Sequence, residues 1–197
     1  MIGIRREDKS QWEARVPLVP ADVRALIQEH GLAVQVQSSP VRRFPEADYR
    51  AAGAAIVDDL RACPIILGVK EIPPRYFEPG KTYVFFSHTI KGQPANMPML
   101  KRLIELGCTL IDYERIVDER GRRLVFFGRF AGLAGMIDSL WAFGQRLAHE
   151  GIANPFTQVR RAYDYRDLAH ARDELAALGA QIRRDGLPRS GSTPKHP

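Results

Sequence analysis

Two short apolar runs limit the folds open to this chain more than any other feature. They are residues 65–69 (Ile-Ile-Leu-Gly-Val) and residues 83–86 (Tyr-Val-Phe-Phe). Because polar residues do not alternate with apolar ones in them, both runs are typical of strands covered on both faces of a sheet. The runs are followed by titratable residues, which are Lys70, Glu71, His88 and Lys91. Since ligands of open α/β sheets bind outside the carboxyl ends of the strands, we predict a functional site there.

Predicted strands and helices alternate along most of the chain. The predicted strands are residues 2–4, 32–36, 54–57, 65–69, 83–86, 109–111 and 124–127. The predicted helices are residues 21–29, 48–52, 97–106, 131–147 and 167–178. A β-α-β-α-β order favours the α/β class, with a mostly parallel sheet flanked by helices. We therefore predict a three-layer sandwich, Rossmann-like or flavodoxin-like, with a long helix toward the C-terminal end.

The composition favours a small anionic ligand over a nucleic acid or a membrane. The chain has 29 basic and 23 acidic residues and a net charge of +6, which would suit any of these partners. We expect no nucleic acid, because no basic stripe with interleaved aromatic residues occurs. No apolar run approaches the ~20 residues that span a bilayer, so we expect no membrane segment. A carboxylate-bearing small molecule fits the charge better.

The cysteines and the first residues favour a cytoplasmic protein. Cys63 and Cys108 stand beside apolar runs without Cys-x-x-Cys spacing, which is typical of free buried thiols in a reducing compartment. The opening Met-Ile-Gly-Ile-Arg-Arg-Glu-Asp contains no apolar stretch of the kind that a secretory signal needs. We therefore expect a cytoplasmic location.

Lys70 and His88 are the candidate acid–base residues. Histidine is the side chain that most often exchanges protons near neutral pH, and a lysine beside a carboxylate, here Glu71, can do the same. Each also has an ordinary interpretation, Lys70 as a surface lysine paired with Glu71 and His88 as a histidine that caps a strand. Their position after two strands that we expect to be neighbours favours the catalytic interpretation.

Two arginines are candidates for binding a substrate carboxylate. Arg15 follows Glu13 in the charged loop after the first strand, and Arg123 follows the turn at Gly121. A planar guanidinium can hold a carboxylate through two parallel hydrogen bonds, although each arginine could equally form a surface ion pair. Glu114, after the sixth predicted strand, adds a further acid to this edge of the sheet.

The sequence carries no recognisable cofactor or metal signature. The series Gly128-x-x-x-Gly132-x-x-Gly135 lacks the Gly-x-Gly-x-x-Gly spacing of dinucleotide-binding turns, and no phosphate-binding P-loop occurs. No set of His, Cys and carboxylate residues has the spacing of metal ligands, so we expect no metal site. The cofactor-binding residues stay unknown, and we do not expect the chain to hold a nicotinamide cofactor by itself.

Four motifs in order resemble a known group of dehydrogenases. They are Glu13-Ala14-Arg15-Val16-Pro17-Leu18-Val19-Pro20, Gly68-Val69-Lys70-Glu71-Ile72-Pro73, Phe86-Ser87-His88-Thr89-Ile90-Lys91 and Gly128-Arg129-Phe130-Ala131-Gly132. Together they resemble the N-terminal, substrate-side domain of saccharopine dehydrogenases and lysine-ketoglutarate reductases, in a wider group with alanine dehydrogenase and the transhydrogenase α-subunit. Asp112-Tyr113-Glu114 and Gly121-Arg122-Arg123 match the saccharopine branch more than the alanine branch. The resemblance covers roughly residues 1–188.

The resemblance implies an oxidoreductase that joins lysine and 2-oxoglutarate reductively through saccharopine, or runs the reverse, with NAD or NADP. It also implies roles for individual residues. The acid–base catalysts would be Lys70 and His88. The residues that bind the small dicarboxylate or amino-acid substrate would be Arg15, Arg123, Lys91 and Lys9. The carboxylates that tune neighbouring pKa values would be Glu71, Glu114 and Glu13.

The resemblance also divides the chain. It makes residues 1–150 a substrate-side α/β domain, residues 151–188 a helical segment that leads toward a nucleotide-binding domain, and residues 189–197 a polar tail. The long helix would bridge to that nucleotide-binding domain, which we expect to be absent from this chain and supplied in cis or in trans. The chain alone would then be inactive, because an imine is reduced only by a held hydride donor.

Two other functions stay open. One is a non-catalytic module that binds carboxylates or regulates an enzyme, and the other is half of an alanine dehydrogenase-like enzyme, acting on pyruvate with ammonia. The sequence leaves undecided whether NAD or NADP is used, in which direction the reaction runs, and whether the chain forms a homo-oligomer.

Overall fold

The computed structural model describes residues 1–187 of the chain, and the predicted polar tail lies outside the described residues. The chain divides into two compact units, the first formed by Met1–Phe126 and the second beginning at Phe127. The functional domain boundary at residue 150 stays a prediction.

The first unit is built on a six-stranded parallel sheet. Its strands are β1 (Ile2–Ile4), β2 (Val34–Gln37), β3 (Ala55–Val57), β4 (Ile65–Leu67), β5 (Thr82–Phe85) and β6 (Thr109–Asp112). Their order across the sheet is β3-β2-β1-β4-β5-β6, and every neighbouring pair is parallel. This is the Rossmann order rather than the flavodoxin order, and it reverses at β1 and β4. The predicted α/β class and parallel sheet are confirmed.

Two apolar clusters attach the helices of the first unit to its sheet. The helices are α1 (Pro20–His30), α2 (Glu46–Ala51) and α3 (Met97–Glu105). The first cluster joins α1, α2, β1 and β2, and its fully buried members include Ile4, Val23 and Tyr49. The second cluster joins α3, β4 and β5 around Phe85 and Leu103. Burial of these side chains is the main favourable contribution to the stability of the unit.

The two clusters lie on opposite faces of the sheet. Ile4 belongs to the first cluster, whereas a Cβ atom added to its neighbour Gly3 would lie 3.0 Å from the Cβ atom of Cys63, which belongs to the second cluster. Because successive residues of a strand point to opposite faces, each cluster covers one face of β1. The arrangement is the three-layer sandwich that the alternation of elements predicts.

The predicted strand at residues 124–127 is wrong. An isolated antiparallel bridge between Val117 and Arg123 precedes this segment, and the side chains of Leu124 and Phe126 are 60% exposed. An apolar run indicates a buried strand only where a neighbouring strand can complete its hydrogen bonds. The parallel sheet ends at β6, so this run has no such neighbour in it.

The second unit contains the helices α4 (Gly128–His149) and α5 (Leu168–Asp185). Both helices pack on the segment between them through a cluster that includes Ile137, Phe156 and Leu178. The long helix predicted at residues 131–147 is confirmed as α4, whereas α5 continues beyond its predicted end at residue 178. Five 3-10 turns complete the described chain, at Pro74–Tyr76, Pro94–Asn96, Tyr113–Arg115, Pro155–Gln158 and Ala162–Asp164.

Candidate active site

The carboxyl ends of β4 and β5 bring Glu71 and His88 together. Leu67 of β4 pairs with Val84 of β5, which confirms that the two apolar runs form neighbouring strands. Beyond them, Nδ1 of His88 lies 2.8 Å from Oε1 of Glu71. Nζ of Lys9, from the loop after β1, lies 3.6 Å from the other carboxylate oxygen of Glu71. One carboxylate therefore links two predicted site residues from different loops.

The ionised carboxylate of Glu71 determines which ring nitrogen of His88 donates a hydrogen bond. Burial acts to raise the pKa of Glu71, but hydrogen bonds from its own backbone amide and from His88, together with the charge of Lys9, outweigh burial and lower the pKa. An ionised carboxylate can only accept, so Nδ1 of His88 donates to it. The neutral ring then carries its lone pair on Nε2, which has no hydrogen-bond partner within residues 1–187. This arrangement suits a histidine that exchanges protons.

His88 also has an unusual backbone conformation. Its φ angle is 51°, and it is the one non-glycine residue with positive φ in the described part of the chain. The chain on both sides is held in place, since Nδ2 of Asn96 donates to the His88 carbonyl oxygen at 3.2 Å. The hydroxyl and the amide of Ser87 both donate to the buried carboxylate of Asp112. Conformations of this kind are concentrated at functional sites, where surrounding contacts hold them.

The left-handed conformation of His88 predicts how two substitutions differ in stability. His88→Gly and His88→Ala both remove the ring, but glycine adopts positive φ without a steric penalty. We therefore expect the glycine variant to be more stable than the alanine variant by about 1 kcal/mol in urea unfolding. Thr89 has negative φ and serves as the control. There we expect Thr89→Ala to be more stable than Thr89→Gly by about 0.5–1 kcal/mol. A His88→Ala variant as stable as His88→Gly would contradict the assigned conformation.

Glu7, which the sequence analysis did not single out, holds the backbone of Lys70. Its Oε1 accepts a hydrogen bond from the amide of Val69 at 2.8 Å, and its Oε2 accepts one from the amide of Lys70 at 3.0 Å. The Glu7 side chain is only 3% exposed. A Cβ atom added to Gly68 would lie 3.5 Å from Glu7 Oε1 and 3.1 Å from Cδ of Arg5. The glycine before Val69 therefore leaves room for both side chains to cross the end of β4.

The buried position of Glu7 connects it electrostatically to the rest of the site. Burial raises the pKa of Glu7, although the two amide hydrogen bonds and the charge of Arg5 act against this rise. The charge of Glu7 in turn raises the pKa of Tyr113, after the larger effect of burial. No local sequence signal marks this role, because Glu7 lies in a run of charged residues and its partners are 62 and 63 positions away.

Arg15 and Glu13 form a two-pronged ion pair beside Lys70. Nε and Nη2 of Arg15 lie 2.7 and 2.6 Å from the two carboxylate oxygens of Glu13. Burial acts to raise the pKa of Glu13, but the hydrogen bonds and charge of Arg15, followed by the charge of Lys70, lower it. Lys70 thus lies within electrostatic range of Glu13, whereas Glu71 contacts Lys9 and His88 instead. The pairing of Lys70 with Glu71 considered from the sequence is not found in the described residues.

Arg123 and Glu114 approach His88 through an aromatic side chain. Nη1 of Arg123 lies 3.0 Å from Oε1 of Glu114, and the Arg123 guanidinium lies 6.0 Å from the centre of the Phe86 ring. The ring of Phe86 is stacked on His88 at 6.3 Å and packs on Tyr113 at 4.9 Å. The Arg123 pair is therefore adjacent to the residues that surround His88.

Lys91 is placed less specifically than the other predicted site residues. Its side chain is exposed, and its backbone amide donates to Oε1 of Gln93 at 3.2 Å. No ion pair of Lys91 is found between residues 1 and 187. A substrate-binding role for Lys91 stays a prediction.

The turn after β1 lacks the glycines of a dinucleotide-binding turn. β1 is followed by Arg5-Arg6-Glu7-Asp8 rather than by the glycine-rich turn that accommodates a pyrophosphate. In residues 1–187 no three His, Cys, Asp or Glu side chains come together as metal ligands. Within the same range, none of the helices combines the length and the hydropathy that crossing a membrane requires.

Comparison with known proteins gives similar enzymes from several organisms. Alpha-aminoadipic semialdehyde synthase, mitochondrial, of Bos taurus is 40% identical over 190 residues, which are 96% of this chain and 20% of that protein. The Arabidopsis thaliana alpha-aminoadipic semialdehyde synthase is 38% identical over 193 residues, which are 95% of this chain and 18% of that protein. Saccharopine dehydrogenase (NAD(+), L-lysine-forming) of Neurospora crassa is 35% identical over 159 residues, which are 78% of this chain and 42% of that protein. This chain therefore spans about a fifth of the length of the first relatives.

Two solved structures are also similar to this chain. An L-alanine dehydrogenase superposes with a TM-score of 0.53 at 26% identity, over 61% of this chain and 34% of that one. A transhydrogenase from Sinorhizobium meliloti superposes with a TM-score of 0.51 at 19% identity, over 60% and 34%, and shows the fold alone. The sequence profile described as "Alanine dehydrogenase/PNT, N-terminal domain" matches residues 3–134. The resemblance drawn from the four motifs is confirmed, and the chain belongs to the family of alanine dehydrogenase/PNT N-terminal domains.

Proposed function

We propose that this chain is the substrate-binding and acid–base half of a lysine-ketoglutarate reductase or saccharopine dehydrogenase. The observation that carries the proposal is the contact of His88 Nδ1 with Glu71, which leaves Nε2 of the ring available to a substrate. The similar enzymes named above, two semialdehyde synthases and a saccharopine dehydrogenase, support this branch of the family. A site that combines proton-exchanging groups with guanidinium groups suits a substrate that carries both amines and carboxylates.

The proposed reaction has a simple balance. The ε-amine of lysine condenses with the keto carbon of 2-oxoglutarate, losing water to form an imine. Addition of a hydride and a proton across the C=N bond gives saccharopine, and the reverse reaction removes them. NAD or NADP supplies or accepts the hydride. Because no glycine-rich turn follows β1, we expect a nucleotide-binding domain in cis or in trans to hold that cofactor, and this chain alone to be inactive.

The residues of this chain would bind the substrate and move protons. His88 would exchange a proton through Nε2 while Glu71 fixes its ring through Nδ1. Lys70 would be the second acid–base group, with its backbone fixed by Glu7. Arg15 would bind one substrate carboxylate and Arg123 another, since both side chains are partly exposed.

We also propose which part of the enzyme each segment of this chain forms. Residues 1–150 would form the substrate-side domain, residues 151–188 would lead toward the nucleotide-binding domain, and α4 would bridge to it. Cys63 and Cys108 are both free, which suits a reducing compartment such as the cytoplasm.

A specific observation favours a second candidate, half of an alanine dehydrogenase-like enzyme. The L-alanine dehydrogenase that superposes on this chain is 26% identical to it. A site for pyruvate would need one carboxylate clamp, whereas saccharopine would use both arginine pairs. The two candidates therefore differ in whether Arg123 contributes to binding.

Substitution of Arg15 tests the proposed carboxylate clamp. In the enzyme assembled with its NAD(P)-binding domain, we expect Arg15→Ala to weaken saccharopine binding about 10- to 100-fold, because hydrogen bonds to charged groups are worth about 1.5–3 kcal/mol. Isothermal titration calorimetry measures the change. The control is Arg24→Ala on the exposed side of α1, which should bind like the unmodified protein. Equal affinities of the Arg15→Ala variant and the control would refute the proposed clamp.

A further inference from the structure

A cavity of about 370 Å³ lies in the first unit, against Ile66 of β4 and Tyr83 of β5. Residues that follow β1, β3 and β4 line it, among them Arg5, Arg61 and Arg75, together with Gln37 at the end of β2. None of the residues predicted for the active site lines this cavity. It lies where the strand order reverses at β1 and β4, and in sheets of this topology loops diverge there and leave a crevice for a ligand.

Arg5 provides a buried positive charge in the wall of this cavity. It is only 7% exposed, and its stem crosses Gly68, where a side chain would lie 3.1 Å from Cδ of Arg5. Nη2 of Arg5 donates to Oδ1 of Asp8 at 2.9 Å. Nη1 lies 4.0 Å from Oε2 of Glu7 and has no hydrogen-bond partner in the described chain. Nη1 is itself inaccessible to solvent, so Arg5 favours an anionic ligand in the cavity through its charge rather than through this nitrogen.

The other charges of the lining leave an excess of positive charge. Besides Arg5, its arginines are Arg6, Arg61 and Arg75, and its carboxylates are Asp8, Asp59 and Glu78. Asp8 pairs with Arg5, and Oε2 of Glu78 lies 2.9 Å from Nζ of Lys81. Within residues 1–187, Arg6, Arg61 and Arg75 have no carboxylate partner. Three lining arginines without an ion pair thus stand against one lining carboxylate without an ion pair, that of Asp59, in the described chain.

One of these arginines is held in position by an aromatic ring. The guanidinium of Arg75 lies 4.6 Å from the centre of the Tyr76 ring, and its Nη2 donates to the Tyr76 hydroxyl at 3.2 Å. The guanidinium of Arg5 lies 5.8 Å from the centre of the same ring. Tyr76 therefore contacts two of the cations that line the cavity.

We propose that this cavity is a second ligand site, which binds a small molecule through an oxyanion group, either a phosphate or a carboxylate. Guanidinium groups match both groups through paired hydrogen bonds. The cavity is large enough for the anion and a few further atoms, so the ligand is a small metabolite rather than a polymer. This inference does not depend on the proposed reaction, because it uses none of the residues assigned to that reaction.

Inorganic phosphate and oxalate are the probes that test the proposal. Each is titrated into the protein at constant ionic strength while backbone amide chemical shifts are recorded. We expect saturable shifts at the residues that line the cavity. In the double variant Arg61→Gln, Arg75→Gln, the dissociation constant should rise about tenfold or more, as the loss of charged hydrogen bonds predicts. Both arginines are exposed, so the variant is expected to fold.

A matched double variant separates a specific site from general attraction to positive charge. Arg24→Gln with Arg102→Gln removes the same charge from the exposed sides of α1 and α3, and it should leave binding unchanged. Tighter binding of phosphate would identify a phosphorylated ligand, and tighter binding of oxalate a carboxylate ligand. Shifts that rise linearly without saturation, or that weaken equally in both double variants, would show an adventitious ion only and overturn the proposal.

Discussion

Replacing Lys70 with Met or His88 with Ala is expected to lower the rate of saccharopine oxidation about 10²- to 10⁴-fold, in the enzyme assembled with its NAD(P)-binding domain. A positioned acid or base contributes a rate factor of about this size. Saccharopine binding should change much less, because Arg15 and Arg123 stay in place. The measurement is kcat and KM from the absorbance of NAD(P)H. In the Lys70→Met, His88→Ala double variant, the rate should fall by less than the product of the two single effects, because both residues act on the same substrate.

The pH dependence of these variants distinguishes catalytic from structural roles. If both residues exchange protons, the rate of the unmodified enzyme depends on pH as a bell-shaped curve, and each single variant loses one limb of it. The controls are Lys101→Met and His30→Ala, which change exposed residues of α3 and α1. A non-catalytic module would bind its ligand equally well in all four variants, and rates equal to those of the controls would contradict the assigned roles.

Replacing Glu7 with Gln is expected to destabilise the first unit by about 2–4 kcal/mol, since each buried donor left without a partner costs about 1–3 kcal/mol. The Glu7 carboxylate accepts hydrogen bonds from the amides of Val69 and Lys70. Glutamine offers one accepting oxygen, and its NH₂ group would face an amide donor. Urea unfolding measures the loss, with Glu29→Gln at an exposed position of α1 as the control. A loss no larger than that of the control would show that these amides do not depend on Glu7.

The same variant should change how stability depends on pH. Burial raises the pKa of Glu7 in the folded chain, so the folded state binds this proton more tightly than the unfolded state. Glu7 therefore lowers the free energy of unfolding as pH rises from its ordinary pKa to the raised one. Glu71 has a lowered pKa, so the stability it adds is lost as pH falls through that pKa. In the Glu7→Gln variant, the free energy of unfolding should no longer decrease as pH rises above the ordinary pKa of glutamate.

The sheet could be predicted from the sequence because its signals are local. The apolar runs at residues 65–69 and 83–86 and the alternation of strands with helices indicate a parallel sheet without knowledge of distant contacts. The same signal misassigned residues 124–127, because it does not show whether a neighbouring strand exists. Chain order alone did not distinguish the Rossmann from the flavodoxin order.

The sequence indicated which types of residue lie in the candidate site but not which of their side chains contact one another. Histidine and lysine after apolar strands indicate His88 and Lys70, and Arg15 lies two residues from its partner Glu13. Glu71 is next to Lys70 in the chain but contacts His88, because adjacent side chains of a non-helical segment diverge. The role of Glu7 depends on amides more than sixty residues away, and the arginine-lined cavity depends on four separate segments, so folding alone brings these groups together.

The measurement that tests the central claim most directly is the formation of NAD(P)H from saccharopine by the enzyme that contains this chain. The proposed function predicts saccharopine-dependent formation of NAD(P)H, together with release of lysine and 2-oxoglutarate, that is lost in the Lys70→Met, His88→Ala variant. The chain without a nucleotide-binding domain should give none. A folded, cofactor-bound enzyme that oxidises alanine but not saccharopine, or that turns over neither, would contradict the account.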